Sequence, residues 1–264
     1  MTRAVFLAGI AAAAACGGAG GCSSGGARSD AATTTDVATT SDAPADPFHV
    51  LLFSRTTGFR HDSIPTAITT LTGLGAANGY VAEATEDPAA FTTANLARFH
   101  VVVFLMTTGD PVDAAGQAAF ESWIGAGGGW VGVHSAADTE YDWPFYGQLV
   151  GAYFKQHPAI QQARVTIEVA DHPATAGLPS PWTRTDEWYD FQTNPRATTT
   201  VLATIDESSY SGGMMGGDHP LVWAHATTGG GRAIYTAMGH TQESYADPLF
   251  RQHLVGAIRW AAAR

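Results

Sequence analysis

Residues 100–134 read HVVVFLMTTGDPVDAAGQAAFESWIGAGGGWVGVH, and their pattern decides the fold. His100–Met106 is a continuous apolar run, as expected of a strand covered on both faces. Asp113–Ala126 carries Phe120, Trp123 and Ile124 on a helical stripe and stops at Gly127-Gly128-Gly129. Trp130–His134 is a second short strand. Strand, helix and strand joined by turn residues form a parallel crossover unit, and such units are right-handed.

The same alternation continues on both sides. Upstream, His49–Ser54 (HVLLFS) and Tyr80–Thr85 read as strands. They flank a helix over Ile64–Asn78, with Pro65 in its first turn and Asn78-Gly79 as its stop. Thr92–Arg98 reads as a short helix. Downstream, Ala163–Val169 and Thr200–Asp206 read as strands. Leu221–His225 and Arg232–Met238 form a hairpin across residues 227–231, and Pro248–Ala263 a closing helix. The expected fold class is α/β: a three-layer open sheet, mostly parallel and flavodoxin-like, with an antiparallel hairpin near the C-terminus. No internal repeat or linker interrupts residues 47–264, which read as one domain.

The first fifth of the chain differs. Arg3 precedes an apolar run, Ala4 to Ala15, that is shorter than the roughly 20 residues a membrane span needs. A basic start, a short apolar core and small residues make a secretory signal over residues 1–22. Cys16 and Cys22 each follow small residues, as in a lipoprotein signal, and Cys22 is the preferred lipidation site because Ser23-Ser24 makes a plausible mature start. Residues 23–46 are small and polar and read as a flexible linker. The protein is expected to be exported, periplasmic or at the cell surface, with membrane contact only through an N-terminal lipid anchor.

Beyond Cys22 there is no cysteine, so residues 23–264 carry no disulfide, thiolate nucleophile or Cys-bound metal. The net charge of -11 argues against a nucleic-acid partner and favours neutral or cationic small ligands. In open α/β sheets, ligands sit outside the carboxyl ends of the strands. Four such ends carry polar loops: residues 54–63, 107–110, 134–143 and 239–243. Three of them hold a histidine, His61, His134 and His240. Asp186 and Glu187 place two acids beside Trp188 and Tyr189, either as a base or metal ligand or on a surface strand with its aromatics in the core. Tyr141, Trp143, Tyr146 and Trp182 can stack on a sugar ring or pack in the core. Asp171-His172-Pro173 and Asp218-His219-Pro220 read as turns. No HExxH or HxH spacing occurs, so any divalent metal needs ligands from separate loops, such as His134, His240 and Glu187.

The blocks GFRHDSIP (58–65), ATEDPAAFT (84–92), VVFLMTTGD (102–110), residues 127–158, DHPATAGLP (171–179), RTDEWYDF (184–191), GGDHPLVWAH (216–225) and residues 239–261 resemble the ThuA-like, trehalose-utilisation family. The resemblance implies a class I glutamine amidotransferase-like fold. In true amidotransferases an elbow of the form GxCxG presents the nucleophilic cysteine. Here the corresponding stretch is Gly132-Val133-His134-Ser135-Ala136, so glutamine hydrolysis through a thioester is ruled out. The family name implies sugar metabolism, and relatives are associated with trehalose-type or 3-keto sugars.

One expected function is therefore hydrolysis or isomerisation of a carbohydrate, with His134, Glu187 and His240 as the catalytic or metal-binding set. Arg60, His61, Asp138, Tyr141, Trp143, His157 and Tyr189 are the candidate substrate-binding residues. The alternatives are a surface-tethered, non-catalytic sugar or metabolite binder and a protein-interaction module.

Overall fold

In the computed structural model, which describes residues 46–264, the crossover unit of residues 100–134 supplies two interior strands of a nine-stranded sheet. The strands are β1 (Phe48–Phe53), β2 (Tyr80–Thr85), β3 (Val101–Leu105), β4 (Gly129–Val133), β5 (Phe154–Gln156), β6 (Gln161–Ile167), β7 (Trp182–Asp186), β8 (Asp190–Phe191), β9 (Thr200–Asp206), β10 (Pro220–Ala226) and β11 (Arg232–Thr236). The helices are α1 (Ile64–Asn78), α2 (Thr93–Leu96), α3 (Ala114–Gly125), α4 (Pro144–Val150) and α5 (Pro248–Ala261). The expected signal segment, Cys22 and most of the expected linker lie outside the described residues.

The sheet order is β2-β1-β3-β4-β11-β10-β9-β6-β7, with β5 and β8 forming a separate pair. From β2 to β11 all pairings are parallel. From β11 to β7 they are antiparallel, so the expected hairpin is the first step of a longer antiparallel wing. Direction alternates along that wing, and β7 therefore ends at the same rim as β4 and β11.

Three of the helices, α2, α3 and α5, start where the sequence supplies a side-chain cap. Asp113 Oδ1 accepts from Gly116 N (2.8 Å) at α3, and Asp247 Oδ1 accepts from Leu249 N (2.9 Å) ahead of Pro248 at α5. Phe53, Phe104 and Gly132 are in register on one face, where Phe104 packs on Phe120 of α3 (5.5 Å between rings) and Tyr146 of α4 (5.4 Å). A side chain at Gly132 would run into the Trp130 ring at 2.3 Å, so only glycine lets that indole lie across the strand. Burying a side chain such as Phe120 contributes about 1.5–3 kcal/mol. The helix α4 has no counterpart in the sequence reading.

Two histidines are built into this body as neutral groups. His253 on α5 is fully buried and its Nδ1 donates to the Ala174 carbonyl (2.7 Å). Burial pushes its imidazole down from 6.5 to about 4, and burial does the same to His172. In the unfolded chain both take up protons near pH 6.5, whereas the folded chain resists until pH 4. Their stabilisation is therefore complete above pH 6.5 and drains away as pH falls from 6.5 to 4, by about 3 kcal/mol for His253. A melting temperature that drops across this window, and drops less in His253→Gln, is the expected outcome. A flat profile between pH 7 and 5 would contradict it.

Candidate functional site

The rim where β1, β4, β11 and β7 end brings four side chains to one point. His61, His134, Glu187 and His240 each offer a donor atom, and these atoms lie within 4.8 Å of one another. They come from loops far apart in sequence, and the local chemistry of each loop explains its place.

His134 follows β4 directly with a φ of 51°, a left-handed conformation that costs a non-glycine residue about 1–3 kcal/mol. The strain turns its ring inward, where it is fully buried. Nδ1 lies 2.7 Å from the Ala237 carbonyl, which can only accept, so Nδ1 carries the proton and Nε2 faces the site with its lone pair. His240 follows Gly239, whose φ of 113° only glycine adopts readily. Its carbonyl accepts from Ser63 Oγ (2.7 Å), and its backbone N–H donates to Asp186 Oδ1 (3.0 Å). His61 reaches in from the β1 loop with Nδ1 3.3 Å from Ser135 Oγ.

Asp186, at the end of β7, is the anchor. One buried carboxylate accepts from the backbone of Gly239 (2.9 Å), His240 (3.0 Å) and Glu187 (3.0 Å), from Ser244 Oγ (3.0 Å) and from Arg184 Nη2 (2.9 Å). It joins the outermost antiparallel strand to the turn after β11, and so delivers Glu187 to the histidines.

Glu187 Oε2 is 3.3 Å from His134 Nε2 and 3.1 Å from His240 Nδ1. His240 Nδ1 is in turn 3.1 Å from His134 Nε2. The other oxygen, Oε1, is 3.0 Å from Nδ1 of His157. Burial works against the charge on Glu187, but the adjacent imidazoles of His134 and His240 outweigh it and hold the carboxyl well below the usual carboxylate range. Burial and the neighbouring histidines push His61 down from 6.5 to about 3. For His240, burial is overridden by the hydrogen bond and charge of Glu187, and its imidazole is raised. The set thus joins an ionised carboxylate, a histidine that holds its proton and a neutral one. It reaches solvent at His240, 19 % exposed, and at His157, 41 % exposed.

The other sequence candidates divide. The Tyr189 ring lies against His134 with centroids 4.2 Å apart. Asp138 accepts from the Tyr141 hydroxyl (2.7 Å), and its carboxyl is raised by burial. Trp143 is a correction: it is core, packed on Phe120 and Tyr146, with its indole N–H donating to Glu121. Arg60 forms an exposed ion pair with Glu86 (2.6 Å). Tyr146 and Trp182 are buried in the core as well.

Sequence reasoning missed three contributors: Asp186 as anchor, Phe59, and His219. Phe59 is 66 % exposed with its ring edge-on to His61 at 4.9 Å. His219 is buried, not a surface turn residue. Its Nε2 donates to the Tyr189 carbonyl (2.8 Å) and its Nδ1 meets Glu207 (2.9 Å). With Asp190 it forms a second cluster whose carboxylates already accept from the backbone N–H groups of Met214, Met215 and Gly216. That cluster braces the 187–190 segment from behind. The cavity of about 750 Å³ along α4 shares Tyr141 with the rim but contains none of the four converging residues.

Over residues 49–261 the chain matches the family described as trehalose utilisation, ThuA. The chain belongs to the ThuA family. A ThuA-like protein from Bacteroides uniformis is 27% identical, with a TM-score of 0.71 over 84% of this chain and 94% of its own. A ThuA-like protein from Parabacteroides merdae is 18% identical, with a TM-score of 0.68 over 82% of this chain and 90% of its own, a likeness of fold. No curated relative matches. The fold is thus the ThuA-like α/β type, with His134 at the turn that follows β4.

Proposed function

We propose that this ThuA-family chain is an enzyme acting on a carbohydrate, hydrolysing or isomerising a disaccharide or a 3-keto sugar. The observation that carries this reading is the meeting of His134, His240 and Glu187 within 3.3 Å of one another at a solvent-reaching rim. Glu187 places one oxygen against both imidazoles, where a proton can pass between them. His240, whose imidazole is raised, donates one. Two exposed aromatics flank the opening region, Phe59 and Tyr141 (40 % exposed), and aromatic faces suit the apolar face of a sugar ring. The family's description, trehalose utilisation, supports the same substrate class. Export and lipid anchoring through Cys22 belong to this proposal and rest on the sequence of residues 1–24.

The test incubates the full-length protein with a panel of disaccharides and 3-keto sugars, recording product formation and thermal shift. Turnover of at least one saccharide, lost in His134→Ala, is expected. A thermal shift without turnover would make the protein a binder, and no response to any saccharide would end the carbohydrate reading.

A further inference from the structure

The geometry points to a single divalent transition-metal ion, of the zinc class, held by His61, His134, Glu187 and His240. This deepens the proposed function and rests on the same site. Three observations carry it, and the first is spacing. The donor atoms of His134, His240 and Glu187 are 3.1–3.3 Å apart. Zinc–nitrogen and zinc–oxygen bonds of about 2.0–2.2 Å place neighbouring donors roughly 3.3 Å apart in a tetrahedral shell.

The second observation is the direction of the lone pairs. His134 gives its Nδ1 proton to the Ala237 carbonyl, so Nε2 points a lone pair at a carboxylate oxygen 3.3 Å away. His240 Nδ1, 3.1 Å from both, has one proton to share between them. A cation among the three satisfies every lone pair at once.

The third is that each donor residue is held from behind, as metal ligands are. His134 is held by the Ala237 carbonyl, His61 by Ser135 Oγ, and Glu187 by His157 at its other oxygen. The His240 backbone is held between Asp186 and Ser63. Three imidazoles and one carboxylate suit zinc and its borderline neighbours better than calcium or magnesium, which prefer all-oxygen shells.

The test uses the full-length protein with Cys16 and Cys22 alkylated, stripped with a chelator and titrated calorimetrically with zinc chloride. One equivalent bound per chain is expected, and cobalt loading should give a visible absorption band. His134→Ala and Glu187→Ala are expected to weaken zinc binding more than the roughly 10–100-fold typical of losing an outer-shell partner. Ser135→Ala should fall within that range. The milder His61→Asn and Glu187→Gln, checked for folding by circular dichroism, serve if the alanine variants are unstable. Glu83→Gln, on β2 in the exposed ion pair with Arg98, should leave stoichiometry and affinity unchanged. Absence of stoichiometric zinc binding, or wild-type affinity in folded His134 and Glu187 variants, overturns the proposal. Saccharide turnover by a protein that binds no zinc would overturn it while leaving the carbohydrate reading intact. Zinc binding with no saccharide response would remove the carbohydrate reading alone.

Discussion

Asp186→Ala is expected to lower the unfolding free energy by about 3–5 kcal/mol, the cost of breaking a buried ion pair from one side. Its partner Arg184 lies between Trp182 and Phe250, with guanidinium-to-ring distances of 4.7 and 4.4 Å. Nε and Nη1 of that guanidinium already have no hydrogen-bond partner. Without Asp186, the buried charge loses its nearest counter-ion, and the N–H groups of Gly239, His240 and Glu187 lose their acceptor. Against a typical total stability of about 5–15 kcal/mol, this is a large share. Chemical denaturation of the variant measures it. Arg184→Met in the Asp186→Ala background should recover part of the loss, because the stranded charge is removed with its partner. A loss under 1 kcal/mol for Asp186→Ala would refute the anchoring role.

Glu187→Gln is expected to lower kcat/KM on the saccharide substrate by roughly 10²–10⁴-fold while leaving the fold intact. The amide keeps the shape of the carboxylate but loses its charge and its capacity to accept a proton. Asp186 is untouched, so the fold should persist, with a melting temperature lowered only by the lost contact between the carboxylate and the raised His240 imidazole. Kinetics and thermal melts on the same preparation separate the two effects. Full turnover in Glu187→Gln would take the carboxylate out of the chemistry.

Much of this arrangement was legible in the sequence. Short continuous apolar runs rich in β-branched residues and bounded by turn signals, such as residues 101–105, read as strands covered on both faces, and all five residues are buried. The three histidines were found because they follow strands, and parallel strands put their carboxyl ends on one rim. Glu187 was visible as an acid beside aromatics, but its position depends on an antiparallel wing of alternating directions, and pairing order is not written in any local pattern. The helix α4 spans only seven residues, too few for a periodicity to stand out. Trp143 turns inward for a related reason. A loop address does not tell which way a side chain turns, and here packing on Phe120 decides it. Asp218-His219-Pro220 has the composition of a turn, yet Pro220 opens β10 and its pairing with β9 takes His219 inside.

The clasp between Asp186 and the Gly239-His240 turn has a consequence for the order of events in the life of the chain. His134 and His240 lie 106 positions apart. A nascent polypeptide that has emerged only as far as β10 lacks one of the four groups and the partners that fix Asp186. Competence therefore arises late and all together, at the docking of the final segment. An unfinished or partly unravelled molecule is chemically silent, and any activity detected in a preparation counts only completed molecules.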